Sequence, residues 1–296
     1  MGNADAGKCL LEAVIDHYHT QGHTGLAAGD VDHALAAAAF GDRPDTWPLP
    51  TATTPCHVWL RAVACGGQGR YGAACADLAV LRRDGPGSLV SLAHSAQGSF
   101  LRQLGWHAVA RRWDGRALAL AGTDPEARAD ALIGLAADAL GVGRFAAAAA
   151  LLERADAALA VGAVPERLPV RRQWVAAELA MASGDGQSAV RYATAAVDLA
   201  QALGHETGQM HVRHRVKSDV VLAAALCSAG SVEAARGVAE AALDDTGRWG
   251  LIPLRWALSC LLIDIGSATL SLQELQEIRD ISAGQVRHAG GTWRTA

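Results

Sequence analysis

Histidine, glycine and arginine supply the residues of this chain whose types and spacing could do chemistry. His17, His19, His23 and His33 cluster near the start, and His205, His211 and His214 cluster later. His19/His23 and His211/His214 stand four and three residues apart, the separation that puts two imidazoles on one helical face as a zinc site needs. No carboxylate or cysteine completes an evident set, and Gly22 is placed to end the first helix. Ordinary surface or partly buried histidines are therefore the expectation, with no metal. GQGRYG (67–72) fits G-x-G-x-x-G and GVGRFA (141–146) fits its alanine variant. Such a loop cradles a pyrophosphate only after a strand and before a helix. Helical patterns precede both matches, which makes them helix–helix turns. No serine sits in G-x-S-x-G and no H-E-x-x-H occurs. The carboxylates scatter along helices, so no enzyme and no cofactor are expected.

Two stretches are locally basic, RLPVRRQW (167–174) and HVRHRVK (211–217). A solvated helix face accounts for such runs. The functional alternative is a positive patch for an acidic peptide or a phosphate-bearing partner. The whole chain carries a net charge of −4 over 296 residues, which gives nucleic acid no general attraction. No helix-turn-helix DNA-binding module is evident outside the regular part of the chain, so direct nucleic-acid binding is not expected.

The elements that would position these residues are helices. Half the residues are hydrophobic (51%), aromatics are 5% and charged residues 19%. Much of the apolar content is alanine, the best helix former, whose small side chain lets helices approach closely. No apolar run approaches the ~20 residues of a membrane helix, and the first residues lack a basic leader. Ala6 stands where a myristoylation pattern needs Ser or Thr. The six cysteines form no C-x-x-C and read as reduced thiols. A cytoplasmic protein without a membrane partner is expected.

The helices recur. Gly69, Gly105, Gly143, Gly184, Gly230 and Gly266 lie 36–46 residues apart, the scale of helical-hairpin repeats. Seven residues before them stand Ala62, Gly98, Ala136, Ala177, Ala223 and Ser259. Five after them stand Ala74, Ala110, Ala148, Ala189, Ala235 and Ser271. All twelve are small. A glycine at each turn supplies left-handed backbone, and a small residue at each crossing lets ridges enter grooves.

These columns resemble the tetratricopeptide repeat family, whose unit is a helix–turn–helix with small residues where the helices cross. GRY at Gly69, GWH at Gly105 and GRF at Gly143 resemble its glycine–x–aromatic turn. Ala117, Ala155, Ala196 and Ala242 fit a further small position twelve after the glycine, whereas Leu81 and Ile278 do not. The resemblance covers residues 55–289. It implies an all-α, right-handed solenoid of about six repeats, preceded by an N-terminal helical pair (5–21 and 29–40) and a proline-rich linker within 1–54, and followed by a tail at 290–296. The widest spacing, Gly184 to Gly230, implies longer helices or an added loop. The last helix, SLQELQEIRDISAGQVRH, has a polar face suited to capping an open solenoid end.

In the family the first helix of each pair lines the concave surface. Ten residues before the turn glycines stand Trp59, Ser95, Ile133, Trp174, Val220 and Trp256, a column holding three of the eight tryptophans. On the same face, thirteen before the glycines, stand Arg171 and Lys217. Tryptophans and cations in a groove suit a peptide with apolar and acidic residues. The family's lysine–asparagine clamp for a terminal carboxylate is excluded, because the only asparagine is Asn3. The expected function is a peptide- or protein-binding scaffold or regulatory adaptor. The alternative is a ligand- or signal-peptide-sensing domain like the repeat regions of bacterial transcription activators. A sensor should enclose its pocket, and a scaffold should leave its groove open.

Overall fold

The computed structural model describes residues 26–85, 87–207 and 210–294. Among them are thirteen helices and no strand. A first helix, α1 (Leu26–Ala39), stands before the regular part of the chain. Then come α2 (Pro55–Gly67) and α3 (Tyr71–Asp84), α4 (Gly87–Gln103) and α5 (His107–Leu120), and α6 (Pro125–Gly141) and α7 (Phe145–Leu159). The chain continues through α8 (Arg167–Ala182) and α9 (Gly186–Thr207), α10 (Val212–Ser228) and α11 (Val232–Arg248), and α12 (Ile252–Ile265) and α13 (Leu272–His288). The helix expected over 5–21, with His17, His19 and His23, lies outside the described residues. The wide Gly184–Gly230 spacing is taken up largely by α9, which at 22 residues is the longest helix.

Local chemistry sets the boundaries. Thr54 caps α2 by accepting a hydrogen bond from the His57 N–H, with Pro55 at the first helical position, where its missing N–H costs nothing. Asp124 and Pro125 start α6 in the same way. Ser271 and Glu274 form a capping box on α13. The six turn glycines all have φ between 74 and 88°. At five of them the next residue donates back across the helix end: Arg70 to Cys65 O, Trp106 to Leu101 O, Arg144 to Ala139 O, Asp185 to Ala180 O and Ser231 to Leu226 O, all at 2.8–2.9 Å. This is the Schellman closure. A β-carbon at these glycines would strain the backbone that makes the bond.

Gly266 departs from the pattern. Its ψ is 164°, and the loop after it is held from α11, by Arg236 on Ile265 O and Gly266 O and by Glu240 on the Ala268 and Thr269 amides. The second helix here begins six residues after the glycine, not two. Ser271 therefore caps α13 at the surface and is no crossing residue, a correction to the small-residue columns. Leu275 and Ser282, one turn after Ser271 and Ile278 respectively, take the buried positions. The other eleven column residues are buried as expected. At Gly98 the reason differs, because the Asp114 carboxylate occupies the place of a β-carbon, as it also does at Gly134.

Consecutive helices pack together throughout. In addition α2 touches α4, α4 touches α6, and so on to α12, whereas no two odd-numbered helices make comparable contact. The even-numbered helices thus form an inner layer, and the array curves around them. The curvature brings its two ends together. The Gly72 N–H donates to Ala289 O at 2.7 Å, and Arg294 N–H to Leu104 O at 2.9 Å. The Trp106 indole donates to Thr292 O at 2.7 Å, and Trp293 lies 4.2 Å from Trp256 between ring centroids. The last helix meets the first pair at its C-terminal end, so the open, capped end expected from its polar face is corrected to a closed one.

Candidate functional site

The inner layer lines a cavity of about 330 Å³ that is partly open to solvent. This volume lies at the low end of small-ligand sites. Trp59 and Val63 of α2, Leu92 and Phe100 of α4, and Pro253 and Leu254 of α12 make an apolar wall. Beside them α8 presents Arg167, Arg171 and Trp174, and α10 presents Arg213, His214 and Lys217. Each helix offers a cation pair four residues apart, one above the other on a single face. Phe40, just beyond α1, also lines the cavity, and the Val212 N–H donates to Gly41 O at 3.2 Å to hold this segment against α10.

Most of these cations are matched. Glu126 and Asp130, spaced by four on α6, pair with Arg167 and Arg171 on α8. Lys217 Nζ lies 3.5 Å from Glu178. Arg102 of α4 bridges Asp114 and Asp138, both fully buried, and donates to Gly134 O at 3.3 Å. Burial alone would lower the Arg102 pKa, but the two carboxylates hold it raised. Burial raises Asp114 well above the ordinary carboxylate range, with Asp138 adding to the rise and Arg102 opposing it.

Arg213 differs from all of these. Among the described residues it has no carboxylate partner, and its one hydrogen bond to them runs from Nη1 to Val63 O at 3.0 Å. Burial, then the neighbouring Arg167, lower its pKa to about 10, as burial and then Arg102 lower that of the ion-paired Arg171. The His214 imidazole beside it is 2% exposed. Burial first, then Arg213 and His211, push its pKa well below 6.5, so His214 is neutral at pH 7.

The aromatic rings form a connected run. Trp59 lies 5.4 Å from Phe40, Phe40 6.1 Å from His214, and His214 stacks on Trp174 at 5.5 Å. Arg167 faces Phe40 and Trp59 at 5.2 and 5.6 Å, Arg213 faces Phe40 at 5.9 Å, and Lys217 faces Trp174 at 5.9 Å. Such faces stabilise desolvated cations. The Trp174 indole is satisfied by Ser218 Oγ at 2.9 Å. By contrast, the indole N–H of Trp59, the hydroxyl of Ser95 and Nδ1 of His214 are buried and without a hydrogen-bond partner. Each such group costs about 1–3 kcal/mol when left unmet.

Of the residues singled out in the sequence, Trp59, Ser95, Ile133, Arg171, Trp174 and Lys217 line the cavity. Val220 and Trp256 do not line it. Val220 packs with Leu243, Leu258 and Leu262 in the core, because α12 closes against α10 beyond Lys217. Trp256 is covered by Trp293 of the tail. The basic stretches, expected on a solvated face, turn their paired cations inward. Arg167 and Arg213 were legible one helical turn before Arg171 and Lys217. Phe40 lies outside every repeat column and carried no signal.

Among the described residues no group of three or more His, Cys, Asp or Glu is placed to hold a metal ion. No helix among them is long and apolar enough to cross a membrane. Compared with known proteins, the chain matches no family model, no curated protein and no solved structure.

Proposed function

We propose that this chain is a ligand-sensing binding protein whose site is the central cavity. In this reading six tetratricopeptide-like repeats wind as a right-handed solenoid inside the cell, and a small molecule, or the end of a peptide, sits among the even-numbered helices. The carrying observation is the meeting of the array's ends: the last helix and tail touch the first two pairs, and Phe40, just beyond α1, lines the cavity between them. A scaffold for long partners needs an open groove, which this arrangement disfavours. A ligand that bridges α2 and α8–α10 would favour the closed ring over an opened one. That differential affinity is what a regulatory domain requires.

The test uses N-phenyl-1-naphthylamine, a neutral probe that fluoresces in apolar surroundings. Ala137→Phe and Ala96→Phe fill the cavity from α6 and α4 respectively. The wild type should bind the probe, and both variants should fold, by circular dichroism, yet lose binding. Equal binding by wild type and filled variants would place the site elsewhere and overturn the reading.

A further inference from the structure

Resting on the cavity reading above, we infer that the ligand is an amphipathic anion: a carboxylate or phosphate head group set on Arg213, with an apolar body along Trp59, Val63, Leu92 and Phe100. Charge matching around the cavity carries the argument. Arg102, Arg167, Arg171 and Lys217 each have a carboxylate within ion-pair distance. Among the described residues Arg213 alone of the cavity cations has none, although it is partly drawn out of water and sits beside Arg167. A half-buried cation without a counter-ion still loses hydration that nothing replaces, and an entering anion relieves that cost. The donors left over point the same way. Arg213 spends one N–H on a backbone carbonyl, while the Trp59 indole and the Ser95 hydroxyl have no acceptor. Oxygen acceptors would satisfy them, and a neutral hydrocarbon would not.

The backbone reserves the space. A β-carbon at Gly67 would come within 2.7 Å of Arg213 Nη1, so this glycine lets the guanidinium lie against α2. The apolar surface that begins beside it, at Val63 and Trp59, and runs on to Leu92 and Phe100 suits the apolar part of the ligand. The cavity volume of about 330 Å³ admits a head group with a chain or ring, but not a folded partner.

The experiment compares two probes on the full chain: 8-anilinonaphthalene-1-sulfonate, an aromatic anion, and neutral N-phenyl-1-naphthylamine. The wild type should bind the anion at least tenfold more tightly than the neutral probe. Arg213→Met should abolish that preference while leaving the neutral probe's affinity within about twofold. Gly67→Ala, which displaces the guanidinium and keeps its charge, should reduce the preference by a smaller factor. Displacement of the bound anion by decanoate or by decyl phosphate then identifies the head group. If Ala137→Phe excludes both probes but Arg213→Met binds the anion as the wild type does, the anionic inference fails and the cavity reading stands. If neither probe responds to cavity filling, the cavity reading itself fails.

Discussion

The two walls of the cavity are built from the same kind of inner helix, yet they handle charge in opposite ways. On the apolar wall the one cation, Arg102, is locked between Asp114 and Asp138, with Gly98 and Gly134 leaving room for the Asp114 carboxylate. On α10 the half-buried Arg213 is held by a single carbonyl, Val63 O of α2. A buried charge enclosed by its partners is part of the framework. One left with open donors is free to meet something that enters. The contrast separates residues whose loss should unfold the protein from residues whose loss should blind it.

The largest expected effect breaks that contrast directly. Arg102→Met leaves two buried carboxylates facing each other and should cost about 3–5 kcal/mol of unfolding free energy. Converting Asp114 and Asp138 to asparagine in the same chain should recover much of it. Arg213→Met should cost less than about 1 kcal/mol. Urea unfolding of both variants checks this, and equal costs would erase the distinction between the walls.

The tryptophans sharpen it. Trp59 is 5% exposed on the apolar wall, and Trp59→Ala should cost about 3–5 kcal/mol. Trp174 is half-buried on the cationic wall, where it touches His214 and Lys217. Trp174→Ala should cost only about 1 kcal/mol while weakening the anionic probe. Thermal melts and probe titrations on the same two variants decide it.

The turn glycines and the small columns were legible in the sequence because each answers one local demand. A Schellman turn needs positive φ, and a close crossing needs a small side chain. Within the alanine run 146–150 only Ala148 is buried, at the column position. Ala148→Leu should therefore cost about 1–3 kcal/mol by overpacking, and Ala147→Leu and Ala149→Leu should be nearly neutral. Comparable losses at all three would show that the repeat register is wrong. Ser271 was misplaced because the loop after Gly266 is four residues longer than the others, and a fixed offset cannot register that. The direction of the basic stretches was not legible either. Whether a cationic helix face meets solvent or a lumen depends on curvature summed over many helices, and so does the meeting of the array's ends.

The smallest effect concerns protons at the boundary between the walls. His214 is buried neutral, its pKa well below 6.5 because of burial and then Arg213 and His211. In the unfolded chain it titrates near 6.5. Above that pH both states are neutral and the full stability is present. As pH falls through about 6.5 the unfolded state takes up a proton that the folded state refuses, and stability is lost at up to about 1.4 kcal/mol per pH unit. His94, His107 and His211 are depressed by burial and add losses of the same sign. Asp114, raised by burial, acts in the opposite sense, because its unfolded form releases its proton near pH 3.9 while the folded form keeps it. The whole-protein curve therefore mixes both signs, and His214→Phe isolates one of them. The free-energy gap between wild type and His214→Phe, measured by urea unfolding at pH 7.5, 6.5 and 5.5, should change by only about 0.3 kcal/mol over the first interval. It should then shift against the wild type by about 1 kcal/mol over the second. A gap that stays constant down to pH 5.5 would mean that His214 accepts its proton in the folded state, and that Arg213 does not face it as the cationic wall requires.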